Sequence, residues 1–209
     1  MPVAQEFAQV RPNLAIWQTY DKTAKADLFS SALTVQDGVF VIDPIEIADH
    51  PLDQLIGTRP IAGIIVTNGN HFRSADTYMS RFSVPLFAHR NSLPKRAPPG
   101  FIEISDGSRI GNELEVIMIE GAGPGEVALY HAGDNGTLIV GDALINFEPY
   151  GFALLPEKYC ENIKQMRESL RKLLRYDAER VLFAHGMPIL SGATARLRQL
   201  FDVDLAWMR

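Results

Sequence analysis

Short apolar runs closed by turn residues recur in two groups along this chain, and each group gives way to a helical pattern. Strands grouped in this way bury their apolar faces by stacking in layers, which narrows the fold to a layered sheet sandwich with helices outside. In the first group, residues 14–17, 28–35 and 39–42 are apolar or alternating, and Asp37-Gly38 between the last two tolerates the positive φ of a two-residue hairpin. The spacing then predicts a short helix over 51–56, a buried strand over 61–67 and a helix over 72–82. Strands of the second group are expected over 85–88, 101–104, 114–119, 126–130 and 137–140, with Asn135-Gly136 as a second hairpin signal. Residues 91–100, with Pro94, Pro98 and Pro99, are expected to cross the surface without regular structure. Residues 157–176 place Ile163, Met166, Leu170, Leu173 and Leu174 at helical spacing, and 180–184 read as a final strand. Ser191 stands where it can cap a last helix whose inward stripe is Leu197, Leu200, Phe201 and Ala206. No linker long enough to separate domains intervenes, so residues 1–209 are expected to form a single domain.

Length and charge narrow the partners. A chain of 209 residues buries roughly 70% of its unfolded surface and needs no staples. Lys and Arg total 20 against 25 Asp and Glu, a net charge of −5, and no basic block interrupts the sequence, which excludes a nucleic-acid backbone as partner. A hydrophobic fraction of 46% with 22% charged residues is that of a folded chain rather than a disordered one. Apolar runs such as 62–66 fall far short of the ~20 residues a bilayer span needs. Residues 1–20 mix Gln5, Glu6, Arg11, Asn13 and Gln18 with apolar residues, unlike a secretion signal. The expected location is therefore cytoplasmic, with no membrane partner. Cys160 is the single cysteine, so it forms neither an internal disulfide nor a thiolate cage.

Polar groups follow directly on apolar runs at Thr67-Asn68-Gly69-Asn70-His71-Phe72-Arg73, Gly121-Ala122-Gly123-Pro124-Gly125-Glu126, Gly141-Asp142 and His185-Gly186. A side chain at such a junction is held by a rigid sheet while it faces a cleft. The order and phrasing of these junctions resemble the metallo-β-lactamase superfamily. The resemblance runs from Gly38-Val39-Phe40-Val41-Ile42-Asp43-Pro44 through Ile64-Ile65-Val66-Thr67 and Leu138-Ile139-Val140-Gly141-Asp142-Ala143-Leu144 to Ala184-His185-Gly186, nearly the whole chain. It implies an α+β fold, the αββα sandwich of two mixed β-sheets with helices on the outer faces, and a metal site at the sheet ends.

At the metal ligands this chain departs from the family. The family's first motif is His-x-His-x-Asp-His after the strand-ending Thr, and those four positions read here Asn68, Asn70, Phe72 and Arg73. The His of the family phrase Gly-His-Thr-Pro-Gly corresponds to Ala122, whereas the bridging Asp and the last His match Asp142 and His185. The dinuclear site is thus eroded. His71 lies one residue after the family's second His, and a loop one residue longer would bring it into that position. His71, Asp142 and His185 would then form a three-ligand set for a single divalent metal, zinc, iron or manganese. The same shift places Arg73 on the family's catalytic Asp position, where a guanidinium cannot act as a base.

Two functions from different classes follow. In the first, the chain is a hydrolase-like protein acting on a small ester, thioester or lactone, with Asp142 and His185 catalytic and at most one metal. In the second it is a non-catalytic, metal-free binding or regulatory protein. Its cleft then keeps an Arg73-Asp142-His185 network, and Asn68, Asn70, Arg73 and His185 bind a polar small molecule. Metal-free hydrolysis would rest on His185 beside Asp142 as acid and base. A small-molecule ligand or substrate is the expected partner in each case, and the sequence carries no readable sign of oligomeric state. Residues 91–100 and 146–155, the latter with Phe147, Tyr150 and Phe152, are the expected walls of the cleft.

Other candidates receive plainer readings. His50 starts the first helix, His89 is a loop histidine, and His131 is structural and partly exposed. Cys160 is assigned to the apolar side of a helix beginning near Glu157. The glycines at 121, 123 and 125 precede a strand pattern, so no helix N-terminus follows them to hold a phosphate.

Overall fold

The structure, a computed structural model, describes residues 3–22, 25–55, 57, 59–93 and 97–207, with side chains described to 202. Contacts divide the chain into two compact units, Met1–Ile104 and Ser105–Arg209.

In the first unit, seven strands lie side by side in sequence order. They are β1 (Ala8–Arg11), β2 (Leu14–Asp21), β3 (Ala26–Val35), β4 (Gly38–Ile42), β5 (Ile61–Val66), β6 (Leu86–Ala88) and β7 (Phe101–Glu103). Neighbours pair antiparallel from β1 to β4 and parallel from β4 to β7, so the sheet is mixed. Every residue of β4 is buried, as expected of a parallel-paired strand that reads as a continuous apolar run. Helices α1 (Asp49–Leu55) and α2 (Ala75–Phe82) contribute Leu52, Ala75 and Tyr78 to a core with Val39, Val41, Ile64 and Val66. The polar tips of Trp17 and Tyr78 both donate to the carbonyl of Ile45, so these large side chains are buried without orphan donors.

Local chemistry moved several boundaries in this unit. Val35 pairs with Gly38, so Gln36 and Asp37 make the hairpin turn and Gly38 opens the strand. Its φ is 136°, and a Cβ there would lie 2.7 Å from the Pro60 carbonyl oxygen. That glycine serves close strand approach rather than the turn. The helix expected over 72–82 starts only at Ala75, because the residues before it build the turn described below. The helix expected over 51–56 is α1, with Ile56 outside the described residues. Among the described residues of 91–100, regular structure is limited to the end of a 3-10 turn at Arg90–Ser92, which the ring of His89 caps by accepting from the Asn91 amide. Pro94 lies outside the described residues.

The second unit carries β8 (Arg109–Ile110), β9 (Leu114–Met118), β10 (Val127–His131), β11 (Thr137–Val140), a ribbon of β12 (Leu144–Phe147) and β13 (Gly151–Leu154), and β14 (Arg180–Phe183). The sheet order is β14-β11-β10-β9-β8, with β11 and β14 parallel and the remaining pairs antiparallel. Helix α3 (Ile163–Leu170) runs on into a 3-10 turn at Arg171–Arg175, and α4 spans Ala193–Trp207. Met166, Leu170, Leu173, Leu197 and Phe201 pack on Leu138, Val140, Val181 and Phe183, which are the stripes the helical spacing predicted. The side chain of Ala206 lies outside those described.

Here too the departures have causes. His131 pairs with Thr137, so the hairpin signalled by Asn135-Gly136 is a five-residue loop, 132–136, in which Asp134, Asn135 and Gly136 all have positive φ. His131 is buried rather than partly exposed, with Nε2 3.5 Å from Glu113. The helix expected from Glu157 is interrupted: Glu157–Tyr159 is a separate 3-10 turn closed by Cys160 in extended conformation. Asn162 then caps α3 by accepting from the Gln165 amide, so Cys160 sits off the helix, half-buried beside Met166. The last helix starts one turn position later than Ser191 implied, since the carbonyl of Gly192 accepts from Arg196. The ribbon β12–β13 spans 144–154 and so includes most of the expected cleft wall at 146–155. Among the described residues no helix is long and apolar enough to cross a membrane.

Because the cap at Asn162 sets where α3 begins, Asn162→Ala is expected to lower stability by about 1 kcal/mol. Glu157→Ala, outside the helix, should stay within about 0.5 kcal/mol of wild type. Urea unfolding of the two variants checks the assignment.

Candidate functional site

The sequence-predicted residues fall into two groups, one at strand ends of each unit. In the first unit, β4 and β5 end together, and the chain leaves β4 through Asp43, whose φ of 50° turns the backbone out of the strand. Asp43 is buried. Its carboxylate accepts from the Thr67 amide at 2.8 Å and the Thr67 hydroxyl at 2.6 Å, and Oδ2 lies 3.0 Å from His71 Nδ1. Burial alone would push this carboxyl up, but the charge and hydrogen bond of His71, the charge of Arg73 and the Thr67 hydroxyl hold it below the ordinary carboxylate value.

These bonds fix the tautomer of His71. The Thr67 hydroxyl gives its proton to Asp43, so toward His71, 2.9 Å away, its oxygen can only accept. The proton on the ring must therefore sit on Nδ1, where Asp43 and Thr67 share it. In its neutral form an imidazole so arranged would present the lone pair of Nε2, the carboxylate-histidine arrangement that orients metal-ligating rings. Asp43 and Thr67 were absent from the candidate site residues read from the sequence. The available signal was an acid closing an otherwise apolar strand, in the phrase Val41-Ile42-Asp43-Pro44.

The other residues of this loop have local work. Asn68 is buried and its Oδ1 accepts from the Asn70 amide at 2.8 Å, which shapes the turn, while Asn70 itself is exposed. Phe72 packs against the core of the first unit. Arg73, at φ 41°, donates from Nη1 to the carbonyls of Phe29 and Asp43, so its charge braces the backbone at the end of β4.

In the second unit, Asp142 follows β11 and His185 follows β14, the two parallel strands, so adjacent strand ends present the two side chains together. His185 Nε2 is 3.3 Å from Asp142 Oδ1, with side chains 19% and 13% exposed, enough for a small ligand to reach them. Two ligands at ~2.0–2.1 Å from one tetrahedral ion stand about 3.4 Å apart, so this separation fits a shared divalent metal. Behind the pair, Gly186 has φ 107° and approaches Asn146 so closely that any Cβ would collide with its carbonyl. The amide of Asn146 donates to the His185 carbonyl at 3.2 Å, so the ribbon β12–β13 braces the segment that carries the imidazole.

Comparison with known proteins agrees with this construction. A family profile described as metallo-beta-lactamase superfamily matches residues 8–203. Among solved structures, DIM-1 metallo-beta-lactamase superposes with a TM-score of 0.73 at 17% identity, covering 97% of this chain and 99% of its own. A metallo-beta-lactamase from Pontibacter korlensis gives a TM-score of 0.69 at 17% identity over 92% of this chain and 98% of its own. TTHA1623 in a di-iron-bound form gives 0.62 at 21% identity over 86% of this chain and 97% of its own. The two mixed sheets are those of the metallo-beta-lactamase fold. No curated protein sequence matches the chain.

Asp43→Asn places an amide NH2 among donors and removes a buried charge with three partners, and is expected to cost roughly 2–4 kcal/mol at pH 7. The pH dependence has a definite sign. A carboxyl held below its unfolded value of about 3.9 contributes stability that is present above that value and lost as pH falls through the depressed folded value. The gap between wild type and Asp43→Asn should therefore close as pH drops below about 4, which urea midpoints measured from pH 7 down to pH 3 will show.

Proposed function

The chain belongs to the metallo-beta-lactamase superfamily, and on that premise we propose that it is a hydrolase-like protein that holds one divalent metal through His71, Asp142 and His185 and acts on a small ester, thioester or lactone. The observation that carries this reading is the commitment of the His71 Nδ1 proton to Asp43 and Thr67, which makes Nε2 the atom of the ring that would ligate. A buried carboxylate and a hydroxyl spent on one imidazole make sense when the far nitrogen has a ligand to hold. Asp142 and His185, 3.3 Å apart, supply a carboxylate and a second imidazole. Two imidazoles and one carboxylate suit zinc, iron or manganese.

When bound, such an ion supplies Lewis acidity toward an acyl carbonyl and toward water. The chain's own groups do the rest. Asp142 and His185 would hold that ion together with His71, and the bracing of His185 through Asn146 keeps its ring in one orientation. Asn70, exposed on the loop that ends with Arg73, offers an amide to a polar part of the substrate. The second reading is the metal-free binding or regulatory protein with an Arg73-Asp142-His185 network. It draws on Asn68, Asn70, Phe72, Arg73 and Ala122, which stand at positions where the family has ligands or the catalytic acid.

Elemental analysis of the purified full-length chain separates the two. The expected result is about one zinc, iron or manganese per chain, a melting temperature lowered by chelator, and loss of most of the metal in His71→Ala and in Asp142→Ala. Protein that carries no metal after growth with added zinc, and whose melting temperature ignores chelator, overturns the metal reading in favour of the second.

A further inference from the structure

One buried acid plays no part in the site as described so far. Glu126 is 1% exposed, directly follows Gly125 and stands at the foot of β10. Isolating a carboxylate from water costs several kcal/mol, so its position needs a compensating role. Its Oε1 accepts from the amide of Ala143 at 2.9 Å, the residue immediately after Asp142.

We propose that Glu126 is a positioning residue for Asp142, fixing the Asp142-Ala143 peptide so that the Asp142 carboxylate meets His185. This rests on the reading of Asp142 and His185 as the working pair. Ala143 is held on both sides: its N–H, in the Asp142-Ala143 peptide, donates to Glu126, and its carbonyl, in the peptide that follows, accepts from Leu155 at 3.1 Å. With both of its polar groups committed, Ala143 does not rotate, and the Cα of Asp142 before it is set within the turn. The grip on Glu126 is equally firm. Its own carbonyl accepts from Ile119 at 2.9 Å, and its amide donates to Gly123 at 3.3 Å.

The platform beneath it is anchored to α3. The carbonyls of Gly121 and Ala122 accept from Asn162 and Glu161, at 2.8 and 2.9 Å. A Cβ on Gly121 would come within 2.4 Å of the Asn162 carbonyl oxygen, so loop and helix start are in direct contact. A line of hydrogen bonds thus runs from the start of α3 through the glycine loop and Glu126 to the turn that carries Asp142. Ala122, where the family has a ligand, contributes no donor, and the same loop instead delivers an acid that acts one residue away from Asp142.

The test compares full-length Glu126→Gln, which keeps the acceptor, with Glu126→Ala, which removes it. In metal-free protein the ring nitrogen signals of His185 and the exchange of the Ala143 amide are read by NMR. Glu126→Ala should move the His185 signals and speed Ala143 exchange about tenfold or more, whereas Glu126→Gln should leave both near wild type. Zinc affinity should fall about 10- to 100-fold in Glu126→Ala and stay within about threefold in Glu126→Gln. Unchanged His185 signals and zinc affinity in Glu126→Ala overturn the proposal even if that variant is less stable. So does a Glu126→Gln variant as impaired as Glu126→Ala, because the acceptor would then not be what matters. Should Glu126→Ala fail to fold, Glu126→Asp withdraws the acceptor by one methylene and is expected to shift the same readouts in the same direction. If wild type takes up no zinc, the metal reading fails by itself, and the His185 signals still decide the role of Glu126.

Discussion

A carboxylate sealed from water at the end of β4 organises the first unit. Asp43 ties the ends of two parallel strands together, because its own backbone closes β4 while its side chain takes the amide and hydroxyl of Thr67, the residue that closes β5. The cost of burying that charge is met by three donors and by the nearby guanidinium of Arg73, and no single partner can be withdrawn without leaving the rest undersatisfied. The imidazole of His71 belongs to this arrangement from the start. Its position and tautomer are fixed by charge compensation in the core, before any ligand is bound.

Much of this was legible in the sequence, and the parts that were not share a cause. Layered sheets, strand positions and helix stripes follow from apolar periodicity, which each residue carries by itself, and Met166, Leu170, Leu173, Leu197 and Phe201 are buried as that periodicity required. Turn register depends instead on backbone approach: Gly38 and Gly136 resemble hairpin glycines in sequence, yet a Cβ at either would collide with a backbone carbonyl from outside the hairpin, at Pro60 and Asp177. The break before α3 likewise depends on Asn162 outcompeting the helical spacing of the residues before it. Within the candidate site, Asp142 and His185 were visible because they follow apolar strands. Asp43 and Glu126 were not singled out because their meaning lies in which amide they face, and pairing across the fold has no signature in local sequence.

The residues standing where the family has ligands are absorbed into local structure. Asn68 turns its side chain to the Asn70 amide and becomes part of the loop's own scaffold. Phe72 joins the apolar contacts of the first unit, and Ala122 is buried in those of the second. Arg73 satisfies two strand-end carbonyls. A ligand side chain replaced in this way leaves no orphaned polar group behind, so the strand ends keep their shape although the donor set has shrunk.

Both units then secure their remaining donors by the same device, a buried acid that accepts a backbone amide beyond the end of a strand. Asp43 takes the amide of Thr67 after β5, and Glu126 takes that of Ala143 beyond β11. A backbone amide cannot change rotamer or be lost by substitution, other than to proline, so an acid that grips one holds the chain path itself rather than a side chain. The difference between the two lies in what else the acid touches. Asp43 also bonds His71 directly, so in the first unit ring and strand end are fixed by one group. Glu126 acts on the peptide next to Asp142, so in the second unit the acid sets the backbone and leaves the carboxylate of Asp142 to meet His185. Losing Asp43 should therefore disturb a ring and a charge at once, whereas losing Glu126 should shift a ligand while its chemistry remains intact.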